Sequence, residues 1–195
     1  MSTYMQLTLP EFYPWVLLTA GMVSFECVII GFTAGGSRGK LFSTEFMQTH
    51  FSEAHKKAFK KAPPSGGYPD HGNGVYGDKL TYKDWFEFSI AQRAHKNFLE
   101  QVTIVVFSIL AAGVTLPYVA VAVGALYFIG RLIFAIGYIR RSSEGTSKGR
   151  VLGTIICIVS VFVLLALALY SSWDLYDQFS KVQRENPAEN KQEDL

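Results

Sequence analysis

Tyr118-Val119-Ala120-Val121-Ala122-Val123-Gly124-Ala125-Leu126-Tyr127-Phe128-Ile129-Gly130-Arg131-Leu132-Ile133-Phe134-Ala135-Ile136-Gly137-Tyr138-Ile139 is apolar from end to end except for one cation. A hydrocarbon core about 30 Å thick takes about 20 such residues in a helix, so the stretch is long enough to span a bilayer. Three further stretches reach that length, giving spans over 13–32, 98–116, 118–139 and 151–171. A soluble helical bundle would put a polar face on each helix, and these stretches scarcely have one. The reading is an all-α integral membrane protein, a four-helix bundle forming a single four-span domain over residues 1–195.

Composition agrees. Apolar residues make up 49% of the chain and charged ones 17%, against about 25% charged in soluble domains. The first span has no basic residue before it and is too long for the apolar region of a cleaved signal. Lys and Arg cluster in two places. Between the first two spans lie Arg38, Lys40, Lys56, Lys57, Lys60, Lys61, Lys79 and Lys83, with Arg93 and Lys96 at the mouth of the second. Arg140, Arg141, Lys148 and Arg150 fill the connection between spans three and four. Basic loops stay on the inner side during insertion, so both face cytosol or an organelle interior, with the two termini opposite. Cys27 and Cys157 both fall inside spans, where thiols are usually inert.

The segment 33–83 is long for an inter-span loop. Over 44–61, Met47, Phe51, Ala54 and Ala58 share one helical face and Lys56, Lys57 and Lys60 mostly another. This suits either a helix lying in the headgroup layer or an ordinary half-exposed loop helix. The Lys56–Lys61 run fits a solvated or headgroup-facing surface rather than nucleic acid. Pro63-Pro64-Ser65-Gly66-Gly67 ends that segment. Asp84, with Glu87 three residues on, reads as the N-cap of a helix continuing into span two. The glycines from Gly31 to Gly39 before Lys40 do not make a phosphate loop, because the first spacing is wrong and Leu41 stands where Ser or Thr is required. Trp15, Trp85 and Trp173 read as interface anchors. The polar tail 174–195 mixes Lys181, Arg184 and Lys191 with more numerous acids.

Ionisable residues inside a bilayer are functional suspects, and here they are Glu26, Glu100 and Arg131. Arg93, Asn97 and Glu100 fall at i, i+4 and i+7, one helix face. Tyr127, Arg131, Phe134 and Tyr138 form a second stripe. Facing each other, the two would enclose guanidinium forks, a carboxylate, an amide and phenols. Arg forks match carboxylates and Glu matches an ammonium, so the expected guest is a small zwitterion with more than one carboxylate. The competing reading is that Arg131 pairs with Glu26 or Glu100 and merely locks the helices. His50, His55, His71 and His95 have no ligand spacing, so no metal is expected.

Gln92-Arg93-Ala94-His95-Lys96-Asn97-Phe98-Leu99-Glu100 resembles the second-helix motif of the MAPEG family, the membrane-associated eicosanoid and glutathione proteins, and is most similar to its type-three microsomal glutathione transferases. Gly130-Arg131-Leu132-Ile133-Phe134-Ala135-Ile136-Gly137-Tyr138 resembles the third-helix motif, with fainter echoes in Val16-Leu17-Leu18-Thr19 and Tyr68-Pro69. The resemblance covers about residues 13–170. It implies a homotrimer with glutathione bound as co-substrate between protomers near the cytosolic surface. Arg93, Asn97 and Glu100 would hold its charged ends, completed by Arg131 and Tyr138. Endoplasmic reticulum is the implied membrane, with mitochondria the residence of some relatives.

The chain also departs from that pattern. Phe134 stands where the family usually has Tyr, and Leu41–Pro64 reads as an insertion. Catalytic members place an Arg shortly after the third-helix motif to stabilise the thiolate. Here that position falls on Gly145 or Thr146, leaving Lys148 or Arg150 as candidate catalytic cations. Glu26 has no family counterpart. Two functions follow from the resemblance. One is a glutathione-dependent transferase or peroxidase acting on hydrophobic electrophiles or lipid hydroperoxides from the surrounding membrane lipids. The other is a non-catalytic accessory subunit of a larger membrane complex.

Overall fold

The structure, a computed structural model, describes residues 8–140 and 147–185. Its elements are α1 (Tyr13–Leu41), α2 (Thr44–Phe59), a short 3-10 turn (Gly77–Lys79), α3 (Tyr82–Gly113), α4 (Pro117–Arg140) and α5 (Lys148–Glu185), with no strand among the described residues. The chain is an all-helical integral membrane protein. Four of its helices, α1, α3, α4 and α5, are long and apolar enough to cross a bilayer. Their outward side chains are large and apolar: Phe32 is 68% exposed, Phe162 69% and Leu169 73%. Exposed apolar surface on that scale is tolerated where the solvent is lipid.

Helix ends follow local chemistry. Pro117 opens α4 at the one position where its missing N–H costs nothing. Ser43 caps α2, its Oγ accepting from the Phe46 N–H at 3.2 Å. Lys60 ends α2 in the left-handed conformation, φ 59°, its N–H reaching the Lys56 carbonyl. The start of α3 corrects the sequence reading of Asp84 as N-cap. Thr81 caps instead, accepting from the Asp84 N–H at 3.2 Å and donating its hydroxyl to Asp84 Oδ2 at 2.8 Å. Asp84 is thus the third residue of the helix, its carboxylate held by the same Thr81 hydroxyl that accepts from its backbone N–H. The 32 residues of α3 run about 48 Å at 1.5 Å each, well beyond the membrane core. The glycines of 31–39 are helical, part of α1, as rejection of a phosphate loop requires.

The chain forms two compact units. Of the described residues, one comprises 8–24, 102–130 and 155–185, the other 25–101, 131–140 and 147–154. In the first, Val16, Val105, Ile109, Ala112, Ala120 and Leu164 are buried. A Cβ at Gly113 would sit 2.4 Å from Val16 Cγ1, and one at Gly124 2.7 Å from Thr19 Cγ2, so small residues set helix approach there, as in other membrane bundles. The hydroxyls of Thr115 and Ser171 share a 2.6 Å hydrogen bond.

In the second unit, the long loop is a folded cap. Phe42, Met47, Phe51 and Phe88 form its core. The Met47 and Phe51 side of α2 is therefore buried within the protein, and Ala54 and Ala58 on the same helix are exposed. Arg38, 5% exposed, donates from Nη1 to the Gly66 and Gly67 carbonyls at 3.3 and 3.2 Å, and its guanidinium stacks 4.5 Å from the Tyr68 ring centroid. Asp70 accepts four backbone N–H bonds, from Gly72 (2.7 Å), Gly74 (3.0 Å), Tyr76 (2.7 Å) and Gly77 (3.0 Å). Gly67 is obligatory twice over. Its φ is +65°, and a Cβ would lie 2.3 Å from Phe42 Cγ. The Gly67→Ala variant should lose about 2 kcal/mol or more, combining left-handed strain with overpacking, and trypsin should cut at Lys60 and Lys61 faster than in the parent chain.

Candidate functional site

The second unit also carries the intramembrane cation. Arg131 is 1% exposed. Its Nη1 donates to Asn97 Oδ1 at 2.9 Å and its Nη2 to the Ala94 carbonyl at 3.5 Å. The guanidinium lies 4.2 Å from the Phe98 ring centroid and 4.8 Å from that of Phe134. Aromatic faces stabilise a desolvated cation by about 2 kcal/mol, which makes Phe134 a partner to the charge through its ring rather than through a hydroxyl. Arg131 pairs with neither Glu26 nor Glu100; among the described residues the one ion pair is Lys181–Asp177. Glu26 is buried with both carboxyl oxygens lacking a hydrogen-bond partner.

Beside these buried residues, α3 lines a polar groove of about 310 Å³. Arg93, Asn97 and Glu100 all border it, together with Gln92, Lys96 and Ser89, and with His71 and Asn73 from the cap loop. The three residues taken from the i, i+4, i+7 pattern therefore share one cavity, and Arg131 joins it through Asn97. The two helical stripes do not face each other across a single pocket. The guanidinium of Arg131 instead points to Ala94 and Asn97, leaving Arg93 and Glu100 exposed on the groove side.

The remaining candidates lie elsewhere. Tyr138 is not among the groove residues; its ring packs 5.5 Å from Phe134 and lies under the Arg150 guanidinium at 5.2 Å. Gly137 permits this, since a Cβ there would meet the Arg150 backbone nitrogen at 2.7 Å. Lys148 is exposed at the start of α5. Gly145 and Thr146 lie outside the described residues. The cation that the sequence reading passed over is Lys96, which borders the groove. Its signal was present: Ser89, Arg93, Lys96 and Glu100 fall at i, i+4, i+7 and i+11 on α3. His71 and Asn73 had no such signal, because only the cap's fold brings them to the helix. Trp85, read from the sequence as an interface anchor, borders the same groove. His95 packs its ring against Gly31, where a Cβ would lie 2.8 Å from Cε1. No three His, Cys, Asp or Glu side chains converge to hold a metal among the described residues.

A cap concavity of about 430 Å³ is apolar except for Asp70 and His55, and the Asp70 carboxylate is already occupied by backbone donors. The groove on α3 brings opposite charges together, all of them from the Gln92–Glu100 segment. A family model, that of the MAPEG family, matches residues 15–170. The chain belongs to the MAPEG family. Among curated proteins none matches it.

For a MAPEG protein the groove's chemistry can be tested against a glutathione-like guest. Its volume is at the low end of the about 300–1,000 Å³ found for ligand pockets. Arg93 and Lys96 offer cations for two carboxylates, Glu100 an anion for an ammonium, and Asn97 and Gln92 amides for peptide groups. The residues present in this MAPEG chain fit a zwitterionic peptide with two carboxylates.

Proposed function

We propose that this MAPEG protein is a glutathione-dependent transferase or peroxidase, acting on hydrophobic electrophiles or lipid hydroperoxides that reach it from the bilayer. The observation that carries the reading is the convergence of Arg93, Lys96, Asn97 and Glu100 on one groove, with Asn97 held by the buried Arg131. Arg93 takes a carboxylate, Glu100 the α-ammonium, and Lys96 stands beside the thiol. Arg131 is a positioning residue, fixing the Asn97 amide from behind.

A free thiol with a pKa of about 8.5 is only a few per cent thiolate at neutral pH. A cation beside the sulfur lowers that pKa and raises the nucleophile's concentration. In the transferase reaction the thiol proton passes to water and the thiolate sulfur forms a bond to an electrophilic carbon, which either expels its leaving group as an anion or opens a π bond whose electron pair takes a proton back from water. In the peroxidase reaction sulfur attacks the distal oxygen of a hydroperoxide, the O–O bond breaks, and an alcohol leaves with a proton. A second glutathione then reduces the sulfenic acid, giving the disulfide and water. In this reading Lys96 lowers the thiol's pKa; Lys148 and Arg150, the cations that the resemblance offered for that role, are not among the groove residues. A homotrimeric assembly in the endoplasmic reticulum or mitochondrial membrane, with the basic loops inward, accompanies this reading.

The second reading, a non-catalytic accessory subunit of a larger membrane complex, draws on one observation: the hydroxyl-free ring of Phe134 over the guanidinium. Thiolate absorbance of glutathione with the purified protein separates the two. The enzyme reading expects a bound thiol titrating below its free value and conjugation of a generic electrophile. A thiol titrating as in water, with no conjugation, sinks it. Lys96→Gln should shift the bound thiol's titration back toward the free value, with glutathione affinity falling only about tenfold, as expected for losing one charge-assisted contact.

A further inference from the structure

Where α1 ends, α3 begins and α4 ends, the second unit holds another cavity, of about 410 Å³. It shares no lining residue with the groove of Arg93 and Glu100. Lys40 and Arg140 bring two cations to it, Asp84 and Glu87 two carboxylates. None of these four forms an ion pair; the one such pair among the described residues is Lys181–Asp177. Leu41, Phe88, Ala91 and Ile139 are its apolar lining residues.

Position and chemistry together identify the occupant. Lys40 and Leu41 close α1, Arg140 closes α4, and Asp84 and Glu87 lie in the first turns of α3. The ends of three membrane-length helices meet headgroups rather than acyl chains or bulk water. Opposite charges kept apart in one cavity suit a ligand that itself carries both signs. Lys40 and Arg140 match a phosphate, and the carboxylates match a primary ammonium, while the half-buried Leu41 and Ile139 offer apolar contact. We propose that this cavity binds one phospholipid with a phosphate–ammonium headgroup, such as phosphatidylethanolamine. A quaternary choline headgroup has no N–H to donate to Asp84 and Glu87, and an anionic headgroup leaves Glu87 unmatched and Asp84 with only its Thr81 hydroxyl bond. The site is independent of the glutathione reading.

Native mass spectrometry of the full chain, released from mixed micelles with equal phosphatidylethanolamine, phosphatidylcholine and phosphatidylglycerol, tests this. The parent protein should retain phosphatidylethanolamine about tenfold over either competitor, the ratio one charge-assisted hydrogen bond supplies. Glu87→Gln should bring the ethanolamine-to-choline ratio close to one while retaining lipid. The double variant Lys40→Ala, Arg140→Ala should lose bound lipid. Melting temperature without added lipid shows that the variants are folded. Equal retention of all three lipids, preference for phosphatidylglycerol, or variants that keep the parent's selectivity would overturn the proposal. Displacement of the lipid by an equal concentration of free phosphoethanolamine would assign the cavity to a soluble ligand and equally overturn it.

Discussion

The Arg131→Met variant is expected to fold and to bind glutathione about ten- to a hundredfold more weakly than the parent chain. Methionine keeps most of the side-chain volume between Phe98 and Phe134 but removes every donor. Asn97 then loses the 2.9 Å bond that fixes its amide. A hydrogen bond to a charged group contributes about 1.5–3 kcal/mol, which is the stated range of affinity. Because Arg131 acts through Asn97, Asn97→Ala should cost about as much, and the double variant should cost little more than either alone. Non-additivity of that kind is the signature of one coupled unit. Losses that simply add would place Arg131 in some other role. The Arg131→Ala variant is less informative, since a cavity of that size costs about 2–5 kcal/mol by itself and lowers binding through stability.

The second large effect concerns the cap. Asp70→Ala leaves four backbone N–H groups, of Gly72, Gly74, Tyr76 and Gly77, without their acceptor. An unsatisfied buried donor costs about 1–3 kcal/mol. Water reaches some of the four in the variant, so the cap should lose about 3 kcal/mol in all. Amide exchange over residues 66–77 should accelerate about a hundredfold, while exchange in α4 and α5 stays as in the parent. The same carboxylate makes the cap acid-sensitive. Burial alone raises the pKa of Asp70, but the four backbone donors outweigh it and hold the carboxyl below its ordinary value of 3.8. A group depressed on folding contributes stability above its unfolded pKa and loses it as pH falls through the folded one. The cap should therefore loosen below about pH 3.8, and an Asp70→Asn variant should lack that part of the acid transition. An acid transition in the Asn variant identical to the parent's would show that Asp70 does not hold the loop.

The spans were legible because a bilayer leaves so little choice: long apolar blocks either cross it or do not occur. Arg93, Asn97 and Glu100 were legible for a related reason, since helical spacing alone puts them on one face of α3, whatever packs nearby. Spacing could not tell which way Arg131 points. The stripe from Tyr127 to Tyr138 is real, but Ala94 offers a carbonyl and Phe98 a ring, and these draw the guanidinium behind α3. Tyr138 was assigned by the same stripe and lies instead beneath Arg150, whose approach depends on Gly137. The cap was least legible. Arg38 meets carbonyls 28 and 29 residues away, a contact no local pattern encodes. Thr81 was passed over as the cap of α3 because Asp84-Trp85-Phe86-Glu87 also has the pattern of a start. The reciprocal bonds between Thr81 and Asp84 place the true start three residues earlier.

The most direct measurement is calorimetric binding of glutathione and its N-acetylated form to the parent chain and to Glu100→Gln. If Glu100 holds the α-ammonium, acetylation should weaken binding to the parent about tenfold or more and leave binding to Glu100→Gln nearly unchanged. The same acetylation penalty in both proteins would mean that the ammonium lies elsewhere, and that the groove on α3 does not hold the peptide.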